Sequence, residues 1–284
     1  MSILTNEVLS IAKNIAFLPS SQVAFSDEEL LLFMDKILTE TMYPSLISTN
    51  MGYFLSELDI VVPPTSKIRL PQDSFNSGVQ TILCEHEFLT FIPSHVFNED
   101  KSGYSIIGNT LVFSKNHIGK TVRVTYIKAP LKCVIDKQCG LISQILGPKL
   151  TVSFNLLGSP LASIVRADGE EELSKIAILS RTNTSITLFE DVPSIVEVGD
   201  YACAFGTSCV INLPQSYKTV LAQLLANEIS NSMGDFEAAK THFDKASTSL
   251  QSLQKSTNKR SESVKLKSNQ GLFGGGQCRT SKRI

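Results

Sequence analysis

Six cysteines, Cys84, Cys133, Cys139, Cys203, Cys209 and Cys278, are the side chains best suited to hold a metal or to attack a substrate. Two pairs repeat a C-x5-C spacing, Cys133/Cys139 and Cys203/Cys209. Structural zinc knuckles use tighter spacings, roughly two to four intervening residues. The cysteines therefore read as core filler, and neither a metal nor a cofactor is expected. The N-terminal MSILTNEVLS lacks the basic run and apolar stretch of an export signal, so reduced thiols are the expectation. Of the histidines, His86, His95, His117 and His242, none stands at ligand spacing from a cysteine or from another histidine. All are expected at the surface or half-buried.

Other strings with chemical potential fail on context. Ser114 to Thr121 (SKNHIGKT) ends like a phosphate-binding loop, but Ser114 occupies the position of the first glycine. The segment also lies between two strand-like runs instead of opening onto a helix N-terminus. Gly119 is then expected in a turn, at positive φ. Cys84 and His86 alternate along a strand with no evident orienting group, and Glu170-Glu171-Glu172 reads as a solvated acidic connection. Neither a G-x-S-x-G elbow nor an H-E-x-x-H helix occurs. No catalytic residue is assigned, and the chain is not expected to be an enzyme.

The charge pattern is more informative. From Lys255 onward the chain carries Lys255, Lys259, Arg260, Lys265, Lys267, Arg279, Lys282 and Arg283 against Glu262, a net of +7, which leaves -8 on the rest of a chain whose total is -1. Such a tail has too few apolar groups to offset its own ordering entropy, so it is expected to be extended until a partner orders it. Leu272-Phe273, set among glycines, supplies an apolar anchor. Lys259, Arg260, Lys265, Lys267, Leu272, Phe273, Arg279, Lys282 and Arg283 are accordingly the expected partner-binding residues. The anchor favours a protein partner over a purely phosphate one; a nucleic-acid-binding tail is the alternative.

The elements that would carry these residues follow from periodicity. Leu4, Val8, Ile11, Ala12 and Ile15 form one apolar helical stripe. Ser26 and Glu29 make a capping box at the start of a second helix, which Pro44 should kink or split. From Asp59 the pattern changes to short β-branched runs, with a tight hairpin expected at Gly108-Asn109. Helical period returns after Pro214, breaks at Gly234-Asp235, and resumes with Phe236, Ala239, Phe243, Ala246, Leu250 and Leu253 on one stripe.

The expected organisation is α+β: helices of residues 1–58 and 213–255 forming a bundle around a mostly antiparallel β insertion, 59–212, followed by an extended basic arm, 256–284. The insertion divides into two small sheets or barrels, at about 59–130 and 131–212. With 284 residues and 42% apolar composition a sizeable core is available, and no run approaches the length of a membrane span.

In that order, FSDEELLLFMDKILTETMYPSL, KIRLP, GYSIIGNTLVF, TVRVTYIKAP and LP-x9-LLANEISNSMGDFEAAKTHFDKA resemble the head-to-tail adaptor proteins of tailed bacteriophages. The resemblance spans most of residues 22 to 255; 133–212 matches no motif of the family. It implies a non-enzymatic structural protein at the virion neck, made in the host bacterial cytoplasm and assembled as a ring of twelve copies. Its partners would be the portal protein, other copies of itself and a downstream tail or ring protein. DNA would only pass through the channel, and no membrane is involved. The resemblance assigns residues 256–284 to an arm reaching along the portal or a neighbouring subunit.

Overall fold

A computed structural model describes residues 3–18, 24–48, 54–71, 73–153 and 159–272, with the backbone alone for 256–272. The chain forms two compact units, one of Met1–Ile37 with Cys133–Ile284 and one of Leu38–Lys132.

The first unit opens with β1 (Ile3–Leu4), α1 (Thr5–Ile15) and α2 (Asp27–Ile37). The capping box at the start of α2 forms as its sequence dictates: the Ser26 N–H donates to a Glu29 carboxylate oxygen at 2.8 Å, and the Glu29 N–H donates to Ser26 Oγ at 3.2 Å.

The second unit begins with a π-helical turn (Leu38–Met42) that leads into α3 (Tyr43–Ile47). Pro44 lies at the start of α3. It has no N–H to donate, and its ring would clash with the carbonyl four residues back in a regular α-helix. The widened turn ahead of it relieves both problems. Strands β2 (Leu55–Val61), β3 (Lys67–Arg69), β4 (Ser74–Cys84), β5 (Glu87–Phe88), β6 (Tyr104–Ile107), β7 (Thr110–Phe113) and β8 (Thr121–Lys128) follow. They make two sheets, ordered β2-β8-β4-β5 and β3-β7-β6. Ile82, Val122 and Val124 of one sheet share a core with Ile68, Leu111 and Phe113 of the other. The hairpin expected at Gly108-Asn109 is present, pairing Ile107 with Thr110, and Gly108 takes φ 60°.

Back in the first unit, the chain continues through β9 (Lys132–Cys133), β10 (Gly140–Leu146), β11 (Lys149–Val152), β12 (Leu161–Val165), β13 (Glu171–Arg181), β14 (Ser185–Leu188), β15 (Tyr201–Ala204), β16 (Thr207–Ser208) and β17 (Val210–Ile211). Six of these close an antiparallel barrel in the order β10-β11-β14-β13-β12-β15. Its interior holds Ile142, Leu150, Val152, Ile164, Ile186, Leu188 and Ala202. The run around Glu170 is a turn followed by a strand: Gly169 makes the turn at φ 95°, and Glu171 already belongs to β13.

Two helices complete this unit, α4 (Lys218–Ser232) and α5 (Phe236–Leu272). Helices α1, α2 and α5 all pack on α4. With several neighbours, α4 buries Val220, Leu221, Ala222, Leu224, Leu225, Ala226 and Ile229 over more than one face.

The helical bundle around a β insertion is thus corrected. Strand content matches helix content, and the barrel closes on itself with its own interior. Closure removes edge strands, so these strands need no surrounding bundle to satisfy their backbone. The extended arm is corrected in part of its range. Residues 256–272 continue α5 as helix; the helix is already nucleated upstream and no Pro interrupts it. The rest of the proposed arm, 273–284, lies outside the described residues.

Candidate functional site

Two features of the first unit stand apart from ordinary packing: a buried group of thiols and the long helix α5. The thiols come from three places in the chain. Cys139 precedes β10, after the 3-10 turn Asp136–Gln138, and its N–H donates to the Asp136 carbonyl at 3.1 Å. Cys203 lies on β15, and Cys209 lies between β16 and β17.

The barrel register brings the first two together. Gly140 pairs with Ala202 across the antiparallel β10–β15 ladder, so the next step along that register sets Cys139 opposite Cys203. Ala202 faces the barrel core, and strand alternation turns Cys203 to the other side of the wall. A hairpin around Gly206, at φ 78°, returns the chain to Cys209. There the carbonyl of Cys209 accepts from both Thr5 N–H (2.9 Å) and Thr5 Oγ1 (3.0 Å).

The sulfurs of Cys139, Cys203 and Cys209 all lie within 4.8 Å of one another. Exposures of 1%, 0% and 1% leave them dry. Thiol donation from Cys139, joined by donation from Cys203, pulls the Cys209 thiol down to about 5. Cys139 moves up through its hydrogen bonds to Cys203 and Cys209 and through burial. At Cys203, the lowering by Cys139 is outweighed by the hydrogen bond to Cys209 and by burial, so it ends raised.

The other thiols differ. Burial, with the Asp35 carboxylate adding to it, pushes Cys133 well up, and Cys84 packs in the core of the second unit. Cys278 is outside the described residues. The spacings within the chain hid the triad, because Cys139 and Cys203 meet only through barrel closure. The C-x5-C pair Cys203/Cys209 was the visible part of it. Cys133, the other member of the first pair, does not join.

The residues expected to bind a partner sort by position. Lys259, Arg260, Lys265, Lys267 and Leu272 are on the α5 backbone, while Phe273, Arg279, Lys282 and Arg283 are outside the described residues. At 37 residues α5 is about 55 Å long, whereas α4, its principal packing partner, has 15 residues and spans about 22 Å. Asp235 caps α5, its carboxylate accepting from the Ala238 N–H at 3.0 Å.

The α5 stripe packs differently from its sequence pattern. Ala239, His242 and Ala246 are buried, while Phe236 and Phe243 remain 71% and 49% exposed. Small residues admit the close approach of α4, and the two aromatics, seven residues apart, are left on the outward side.

Among the histidines, His86 and His95 are exposed, but His117 and His242 are buried, against expectation. Gly119 takes φ 79° between a 3-10 turn and β8, as the turn reading of SKNHIGKT requires. Among the described residues, no helix is long and apolar enough to cross a membrane. Neither a scan against protein-family models nor a comparison with curated proteins returns a match to this chain.

Proposed function

We propose that the chain is a structural subunit of a tailed-phage virion, a head-to-tail adaptor that assembles as a ring beneath the portal. The observation that carries this reading is the length of α5 beyond α4. A helix segment with Val264, Leu266 and Leu272 as its only apolar residues between 256 and 272 has little to hold it in water alone. Such a segment is stabilised by docking, and its Lys259, Arg260, Lys265 and Lys267 suit an acidic partner surface.

Ring formation needs two different surfaces per subunit that meet head to tail. The outward Phe236 and Phe243 of α5 offer one apolar surface, and Leu179 and Phe189 on the barrel wall offer another. The resemblance of the helix, hairpin and strand motifs to adaptor proteins supports the same reading.

Quantitative mass spectrometry of purified particles tests it. The expected result is this chain at one copy per portal subunit. Absence from particles overturns the reading. In that case a steeply salt-dependent affinity for duplex DNA, lost on removal of residues 256–284, would identify a nucleic-acid-binding protein instead.

A further inference from the structure

We propose that Cys139, Cys203 and Cys209 bind one zinc(II) ion through three thiolate bonds, with Ser163 as a positioning donor beside them. The proposal does not depend on the adaptor reading. Zinc with Zn–S bonds of about 2.3 Å and near-tetrahedral S–Zn–S angles sets its sulfurs about 3.8 Å apart, and a water would take the fourth position. Sulfurs already within 4.8 Å of one another reach that spacing by side-chain rotation. The backbones that carry them are held by the β10–β15 ladder and by the paired Thr5 hydrogen bonds to the Cys209 carbonyl.

A second observation points to the same place. Ser163 pairs directly with Cys203 across the β12–β15 ladder. Ala162 and Ile164 on either side of it face the barrel core, so Ser163 projects to the opposite side, the side of Cys203. Its hydroxyl is completely buried and, among the described residues, has no hydrogen-bond partner. A buried orphan hydroxyl is costly. A side-chain rotation would bring it onto the Cys203 sulfur, and a metal-bound thiolate is a stronger acceptor than a thiol.

The ligand chemistry selects the ion. Three sulfurs exclude hard oxygen-seeking cations. In a dry site the residual charge decides between soft ones: a divalent ion with three thiolates leaves a single negative charge, a monovalent ion leaves two. Each thiol releases its proton to solvent as its sulfur lone pair bonds to the metal, with no change of oxidation state.

Position gives the ion a structural task. The β10–β15 ladder that closes the barrel has two residue pairs, Gly140 with Ala202 and Leu141 with Tyr201, the shortest in the ring. Cys139 and Cys203 stand at its end, and Cys209 leads directly into β17, which pairs with β1. A single ion would staple the weakest seam of the barrel to the N-terminal strand.

The test uses the full-length chain, reduced and stripped of metal with a chelator, titrated with cobalt(II) as a spectroscopic probe and then with zinc(II). The expected results are one cobalt per chain with an intense sulfur-to-cobalt charge-transfer band, displacement by zinc, and a higher thermal midpoint with zinc than in chelator. Cys139→Ser, Cys203→Ser and Cys209→Ser each remove the band at equimolar cobalt, whereas Cys84→Ala keeps it. If the serine variants fail to fold, the wild-type spectrum decides alone. Cobalt uptake without a thiolate band, or no uptake at micromolar metal, overturns the proposal.

Discussion

Ser163 and Cys203 stand directly opposite each other on neighbouring barrel strands, both sealed from solvent, one with an unused hydroxyl and the other with a sulfur among sulfurs. Removing the hydroxyl should therefore have opposite effects in the two metal states. Without metal, Ser163→Ala eliminates an unsatisfied buried group and is expected to leave stability unchanged or raise it by up to about 1 kcal/mol. With zinc, loss of a donor to a ligand is expected to weaken binding by about 10- to 100-fold. Denaturant unfolding in chelator and zinc competition against a chromophoric chelator measure the two effects. Equal zinc affinity in wild type and variant would assign Ser163 to packing alone.

The helix α5 has 37 residues against the 15 of α4. Its earlier part buries Ala239, His242 and Ala246, and its later part extends past the end of α4. On the proposed adaptor reading, deleting residues 256–284 is expected to leave the thermal midpoint of the free chain unchanged while abolishing attachment to the portal. Attachment of the full chain should weaken as ionic strength rises, since Lys259, Arg260, Lys265 and Lys267 would act through screened charge. A salt-independent affinity would shift the contact to apolar residues such as Leu272 and Phe273.

Local signals in the sequence translated well. The Ser26–Glu29 box, the Gly108-Asn109 hairpin and the helix break at Gly234-Asp235 each rest on a few neighbouring residues, and each forms. What the sequence concealed depends on long-range closure. The strand runs of 131–212 suggest a small sheet or barrel, but nothing near Cys139 indicates that β10 will pair with β15, about sixty residues later, so neither the closing seam nor the thiol triad could be read from spacing. Periodicity also overstated the bundle. Phe236 and Phe243 share the stripe of Ala239 and Ala246 in sequence, but the close α4 packing selects the small residues and His242 and leaves the aromatics outside.

His117 should make the second unit sensitive to acid. It is buried, with Nε2 3.3 Å from Ser102 Oγ. Burial, assisted by the positive charge of Lys120 and opposed by Glu85, holds its pKa below the ordinary 6.5. The folded state thus resists a proton that the unfolded chain accepts. Stability from this residue is fully present above about pH 6.5 and is lost as pH falls toward the lower folded-state value. His242, also lowered by burial, acts with the same sign in the first unit. His117→Gln should flatten the pH dependence of the denaturant midpoint of the second unit between pH 8 and pH 5. An unchanged slope would place the acid sensitivity elsewhere.

Gly169 and Gly199 separate backbone strain from steric contact. They take similar conformations, φ 95° and 105°, and both belong to the first unit. A Cβ at Gly199 would meet nothing within 4 Å, but one at Gly169 would fall 2.8 Å from the Cα and N of Asn212. Both alanine substitutions bear the strain of a left-handed backbone, about 1 to 3 kcal/mol. Gly169→Ala must in addition push apart the turn between β12 and β13 and the chain just after β17, where the atoms in the way are backbone and cannot rotate aside. Overpacking of this kind adds about 1 to 3 kcal/mol. Chemical denaturation is therefore expected to rank Gly169→Ala as clearly the more destabilising of the two. Equal losses would mean that the segment after β17 moves freely away from the turn, which would also loosen the route by which Cys209 is positioned.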